Sequence, residues 1–114
     1  MNEIPETPTE DEDPTYAMMS AYLDVPGIMA AILVSDQGLV INSARTEDVD
    51  IDTVSALVVD IVTAAQRFGR ESKSGALDTL TIEFEGLNLL LAPFGRDCML
   101  ALVGHPGAFS QKEP

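Results

Sequence analysis

Seven consecutive residues, Ile28-Met29-Ala30-Ala31-Ile32-Leu33-Val34, are apolar at odd and even positions alike. Side chains alternate between the two faces of a strand, so a strand of this composition must be covered above and below. It belongs in the interior of a sheet that carries a packed layer on each face. Cys98-Met99-Leu100-Ala101-Leu102-Val103, near the other end, makes the same demand. A chain of 114 residues has room for one such sheet and one domain. Neither run approaches the roughly 20 residues needed to cross a bilayer, so insertion into a membrane is not expected.

The segments around these runs read as five further elements. Thr15 to Asp24 suits a short helix, capped by Thr15, or by Asp13 with Pro14 at the first helical position. Its stripe is Met18, Met19, Tyr22 and Leu23, and Val25-Pro26-Gly27 ends it. Ser35-Asp36-Gln37-Gly38 is a tight turn in which Gly38 can take the positive φ of a hairpin, and Leu39 to Ala44 returns antiparallel. A long helix runs from about Ile51 to Arg70. Thr79-Leu80-Thr81-Ile82-Glu83-Phe84-Glu85 then alternates cleanly, with Leu80, Ile82 and Phe84 on one face; a wet second face marks an edge strand or one under thin cover. Gly86 turns it into Asn88 to Ala92, closed by Pro93, and Phe94-Gly95-Arg96-Asp97 leads into the last strand. The order is α-β-β-α-β-β-β, an α/β chain of the α+β sandwich kind. After Gly104 the chain is too short and broken for more than one helical turn.

The long helix is the most informative segment. At 100° per residue Ile51, Val54, Leu57, Val58, Ile61, Val62, Ala65 and Phe68 cover roughly half its circumference, whereas resting on one sheet takes a stripe of only about 100°. Val59 falls outside that arc, beside Gln66 and Arg70. A helix sunk deep into its own core would explain the width, but few layers exist here to cover it, so a second, intermolecular surface is the favoured reading.

Charge excludes several classes of function. Nineteen acidic and six basic residues leave a net charge of −13. A phosphate-neutralising surface needs clustered Lys and Arg, so nucleic acid and anionic membranes are disfavoured as partners. The one local basic cluster, Arg67, Arg70 and Lys73, sits where a helix C-terminus favours cations. Residues 1–15 hold Glu3, Glu6, Glu10, Asp11, Glu12 and Asp13 with Pro5, Pro8 and Pro14. They read as a disordered acidic tail, a solubilising leader or an interaction arm. Such a start is unlike a signal peptide's basic region, and the single Cys98 offers no disulfide framework, so the expected compartment is the cytoplasm.

No motif points to catalysis or a bound group. Asp48, Asp50 and Asp52 open like a calcium loop, but Thr53 stands where Gly is needed and Val59 where a bidentate Glu is needed. The simpler account is that Asp50 caps the long helix and Asp52 complements its dipole. No phosphate or dinucleotide loop is present, and no cofactor or metal is expected. Cys98 and the single His105 are a conceivable but unsupported nucleophile and base.

The run Val25-Pro26-Gly27-Ile28, the hairpin Val34-Ser35-Asp36-Gln37-Gly38-Leu39-Val40-Ile41, the stretch Glu47-Asp48-Val49-Asp50 before the long helix, and Leu89-Leu90-Leu91-Ala92-Pro93-Phe94-Gly95 resemble the Roadblock/dynein light-chain (Roadblock/LC7) family. The likeness spans about Tyr16 to Gly104 and is nearest to bacterial and archaeal members, including the MglB type that regulates a Ras-like small GTPase. It implies a Roadblock/profilin-like domain over residues 16–105, with 106–114 as a short C-terminal tail. It also implies a five-stranded antiparallel sheet with a helix on each face, and a C-terminal helix that is short or missing. Members dimerise by pairing third strands and long helices. That maps the dimer face onto Val54, Leu57, Val58 and Ile61 of the helix and Thr79, Leu80, Thr81, Ile82, Glu83 and Phe84 of the strand. Ala56, Val59, Asp60, Thr63, Arg67 and Arg70 are then the partner-binding side, expected to point away from the sheet. The functional expectation is a non-catalytic homodimeric scaffold for a Ras-like GTPase. A structural adaptor without a GTPase, or a small-ligand sensor, are the alternatives.

Overall fold

The computed structural model describes residues 14–109. The acidic tail expected before the first helix lies, to residue 13, outside the described residues, as do residues 110–114. Seven elements follow in the order α1 (Pro14–Tyr22), β1 (Ile28–Ser35), β2 (Val40–Arg45), α2 (Ile51–Glu71), β3 (Leu80–Glu83), β4 (Asn88–Phe94) and β5 (Cys98–Gly104). The strands form one antiparallel sheet in the order β2-β1-β5-β4-β3. The two runs that are apolar on both alternations are thus β5, at the centre, and β1, paired on both sides.

Each face of the sheet has its own layer. Ala30, Ile32 and Val34 of β1 join Leu89 and Leu91 of β4, Met99, Ala101 and Val103 of β5, and Val58 and Val62 of α2. The alternate residues Ala31 and Leu33, with Ala44, Leu100 and Leu102, pack around Met19 of α1, flanked by Tyr16, Met18, Tyr22 and Leu23. Burying a side chain such as Ile32 or Leu91 contributes about 1.5–3 kcal/mol, and both are fully enclosed. The expected α+β sandwich with one helix per face is the fold observed.

The hairpin between β1 and β2 closes as its residues demand. Gly38 has φ +88°, its N–H donates to the Ser35 carbonyl at 3.0 Å, and the Asp36 N–H donates to the Asp97 carbonyl at 2.8 Å. That last bond ties this turn to the β4–β5 turn at the same end of the sheet.

Three boundaries differ from the sequence reading. The first helix starts at Pro14 and ends at Tyr22, short of Asp24. Pro93 does not close β4: the ladder continues through Pro93↔Met99 and Phe94↔Cys98. Beyond Leu91 the strand has no β3 neighbour, so proline's missing N–H costs nothing on that outer side. The third strand is four residues rather than the seven from Thr79 to Glu85. Its next rungs would set Thr79 against Ala92 and Asp78 against Pro93, which has no N–H to give. At the other end the Phe84 N–H turns back to the Leu87 carbonyl at 2.8 Å.

The described residues after β5 pack back against the rest of the domain. The His105 N–H donates to the Gly27 carbonyl at 2.8 Å, and Phe109 packs against the α1-side cluster. Asn88, 2% exposed, fixes this turn when its amide nitrogen donates to the Leu87 carbonyl at 3.1 Å and its oxygen accepts from the Gly107 N–H at 3.0 Å. Gly104 leaves the space that Ala108 fills, since a Cβ there would stand 2.7 Å from the Ala108 Cβ.

Candidate partner-binding surface

The surface is built from α2 outward. Asp50 caps the helix as expected: its Oδ1 accepts from the Thr53 N–H at 3.2 Å and its Oδ2 from the Thr53 hydroxyl at 2.8 Å. These two bonds, the hydroxyl's first, hold the Asp50 carboxyl below its ordinary value by stabilising the charged form. At the other end Gly69 is required, because a Cβ there would fall onto the Gly75 carbonyl oxygen.

The wide apolar arc resolves into two stripes of the same spacing. Ile51, Ser55, Val58, Val62 and Ala65 recur every three or four residues on the side of α2 toward the sheet, with Ser55, Val58 and Val62 buried. Ser55 can lie there because its hydroxyl donates to the Ile51 carbonyl at 2.8 Å. The second stripe, Val54, Leu57, Ile61, Ala64 and Phe68, repeats the three-four spacing about a quarter-turn away. Along it Val54 and Ile61 are half-buried, while Leu57 and Phe68 are 54% and 71% exposed.

That outer stripe is continuous with the sheet edge. Val54, Leu57, Val58 and Ile61 share an apolar cleft of about 170 Å³ with Phe84, Leu87, Leu89 and Val103. Phe84 is 55% exposed just past the end of β3, and among the described residues no strand lies on β3's outer side. The opposite edge, β2, is guarded. Leu33↔Asn42 is followed by Val34↔Val40, which leaves Ile41 as an extra, bulged residue, and the Ser43 N–H donates to the Asn42 side chain at 2.9 Å. Bulges and side-chain caps of this kind discourage strand addition.

The expected interface residues divide accordingly. Leu57, Ile61, Val54, Leu80, Thr81, Ile82, Glu83 and Phe84 come together along one margin of the molecule, with Thr79 outside the strand. Val58 lines the same cleft but is 1% exposed and belongs to the core cluster under α2. On the third side of α2, Ala56, Asp60, Thr63, Arg67 and Arg70 are exposed as expected. Val59 is the exception. It packs against the α2-side core, where the β1–β2 turn reaches up beside it and a Cβ on Gly38 would touch it at 3.4 Å. Sequence reasoning left out Ala64, Phe68 as an interface residue, and Leu87. The second three-four repeat was the signal for the first two.

Other candidate chemistry does not assemble. Among the described residues no three of His, Cys, Asp and Glu are grouped to hold a metal ion; Asp50 is engaged by Thr53, and Asp48 lies 3.9 Å from Arg45. Cys98 and His105 stand at opposite ends of β5, roughly 23 Å apart along an extended strand, and His105 Nε2 meets Glu47 at 2.8 Å. A pocket between the two turns and α2, lined by Asp36, Val59, Val62, Gln66, Arg96 and Asp97 among others, encloses only about 90 Å³. Typical ligand sites are several times larger, from about 300 Å³ upward. No helix among the described residues is long and apolar enough to cross a membrane.

Comparisons with known proteins agree with this geometry. The Roadblock/LC7 domain family matches residues 14–104. A Roadblock/LC7 domain from Streptomyces avermitilis superposes with a TM-score of 0.71 at 23% identity, covering 78% of this chain and 76% of its own. The gliding protein MglB from Thermus thermophilus superposes at 0.75 with 19% identity, over 90% of this chain and 76% of its own. MglB from Myxococcus xanthus gives 0.67 at 18%, over 76% and 71%. No curated protein sequence matches the chain.

Proposed function

The chain belongs to the Roadblock/LC7 family, and on that footing we propose that it is a non-catalytic homodimeric scaffold that holds a Ras-like small GTPase and influences its nucleotide cycle. The observation that carries the dimer is the exposed outer stripe of α2 lying beside the open edge of β3. Pairing two β3 edges antiparallel satisfies the strands' outward polar groups and brings two α2 stripes together. Exposed apolar side chains such as Leu57, Phe68 and Phe84 are then removed from water.

The GTPase reading rests on the family resemblance and on the fold shared with MglB. A paired α2 surface would present Ala56, Asp60, Thr63, Arg67 and Arg70 from each protomer on its outer side. Arg67 and Arg70 are within reach of such a partner, but the reading does not require an arginine finger. The setting is the cytoplasm, where such GTPases work.

Sedimentation tests the dimer, and a chain that remains monomeric at tens of micromolar overturns it. Capture of cognate Ras-like GTPases loaded with diphosphate, triphosphate or transition-state analogues tests the partner. Thr63→Arg and Arg70→Glu are expected to reduce capture at least several-fold while leaving the dimer intact. Capture in no nucleotide state would leave a structural adaptor and sink the GTPase reading.

A further inference from the structure

We propose that the dimer has one helix register, in which Ile61 packs against the partner subunit's Ala64 and Asp60 forms reciprocal ion pairs with the partner subunit's Arg67. This inference rests on the homodimer reading above and names the arrangement of its second copy. Antiparallel pairing of two like edges has its two-fold axis perpendicular to the sheet, so both α2 helices lie on the same face and run in opposite directions. The outer stripe has the spacing of heptad a and d positions, with Val54, Ile61 and Phe68 at one and Leu57 and Ala64 at the other. Two antiparallel registers put those positions into layers.

In the first register, Ile61 meets the partner subunit's Ala64 and Leu57 meets the partner subunit's Phe68. The three exposed members of the stripe, Leu57, Ala64 and Phe68, are all covered, and Phe68 is 71% exposed in the single chain. In the second, one heptad away, Leu57 meets the partner subunit's Ile61 and Val54 the partner subunit's Ala64. Phe68 then projects past the start of the facing helix at Asp50 and stays wet.

Charge separates the two registers further. Asp60 and Arg67 occupy the same heptad position, each directly before a stripe residue, on the outward margin. The first register sets Asp60 across from the partner subunit's Arg67, twice by symmetry. The second sets Asp60 against the partner subunit's Asp60 over the two-fold axis, a like-charge contact. Arg67 is already held by Glu71 of its own helix, Nε to Oε2 at 3.1 Å, but a guanidinium has donors to spare for a second carboxylate.

Dimer dissociation constants from sedimentation of the full chain decide the matter. Asp60→Arg and Arg67→Asp are each expected to weaken the dimer roughly three- to tenfold, the scale of one or two exposed ion pairs. The double variant Asp60→Arg/Arg67→Asp is expected to return to within about twofold of the parent. Asp60→Asn is diagnostic because its sign differs between registers: it weakens the dimer here and would tighten it in the second. Tightening by Asp60→Asn, or a double variant no better than the singles, overturns the register while leaving the dimer standing. A parent chain that is monomeric sinks the dimer and the register together.

Discussion

Leu57 and Val58 are adjacent aliphatic residues on one helix, yet one is 54% exposed and the other 1%. The step of 100° between them moves a side chain from the outer stripe to the core. Substitutions should therefore report on different equilibria. Leu91→Ala, at a fully enclosed site, is expected to cost about 2–5 kcal/mol of stability by urea denaturation, through lost burial and the cavity left behind. Leu57→Ala should barely change the stability of the single chain and should weaken self-association. Asp50 acts at another residue-scale equilibrium. Its carboxyl titrates below its ordinary value of 3.8 because Thr53 bonds the charged form. The folded pKa is the depressed one, so the stabilisation is complete above the unfolded value and is lost as pH falls through the folded value. Asp50→Asn keeps a competent cap but removes the titration. Melting curves should therefore show the parent's advantage over this variant disappearing as pH falls below about 4; an advantage that persists to pH 2 would refute the account.

At the scale of elements, what the chain revealed and what it hid have physical causes. The interior strands β1 and β5 were legible because double-sided burial leaves no polar position to break the run. The cap at Asp50 and the turn at Gly38 were legible because each is chemistry local to a few residues. The extent of β3 was not, because strand length is set by the partner's register, and Pro93 lies outside β3's own sequence. Val59 was misplaced for a similar reason: its angle on the helix points away from the sheet, but the β1–β2 turn rises to meet it. The width of the apolar arc was legible, whereas its division into two stripes emerged once burial distinguished Val58 from Leu57. A charge in the outer stripe should separate the two roles. Leu57→Glu is expected to yield a monomer with an unchanged circular dichroism spectrum, whereas Val62→Glu, in the inner stripe, should lose the folded signal. Equal loss of structure in both would show that the outer stripe belongs to the core of the single chain.

For the whole molecule the dominant fact is charge. Each copy carries −13, of which the six acids of residues 3–13 supply −6. Two copies approach as like-charged bodies, and their repulsion acts over distances that salt screens: the Debye length falls from about 30 Å at 0.01 M to about 8 Å at 0.15 M. The attractions proposed across the interface are of a different kind. Apolar burial along the α2 stripe and main-chain pairing along β3 act at contact, and the Asp60–Arg67 pairs are close enough to be screened less than the global field. Added salt should therefore tighten the dimer over that range, opposite to the behaviour of an association driven by charge complementarity. Removing residues 1–13 leaves −7 on each copy, and the repulsion scales with the product of the two charges. The truncated chain should accordingly bind itself more tightly than the full chain at 0.01 M salt and converge toward it at 0.15 M. Sedimentation of both chains across that range checks this: a truncated chain that dimerises more weakly at every salt concentration would mean that the acidic segment contributes contacts to the dimer, and the purely electrostatic account of it would fall.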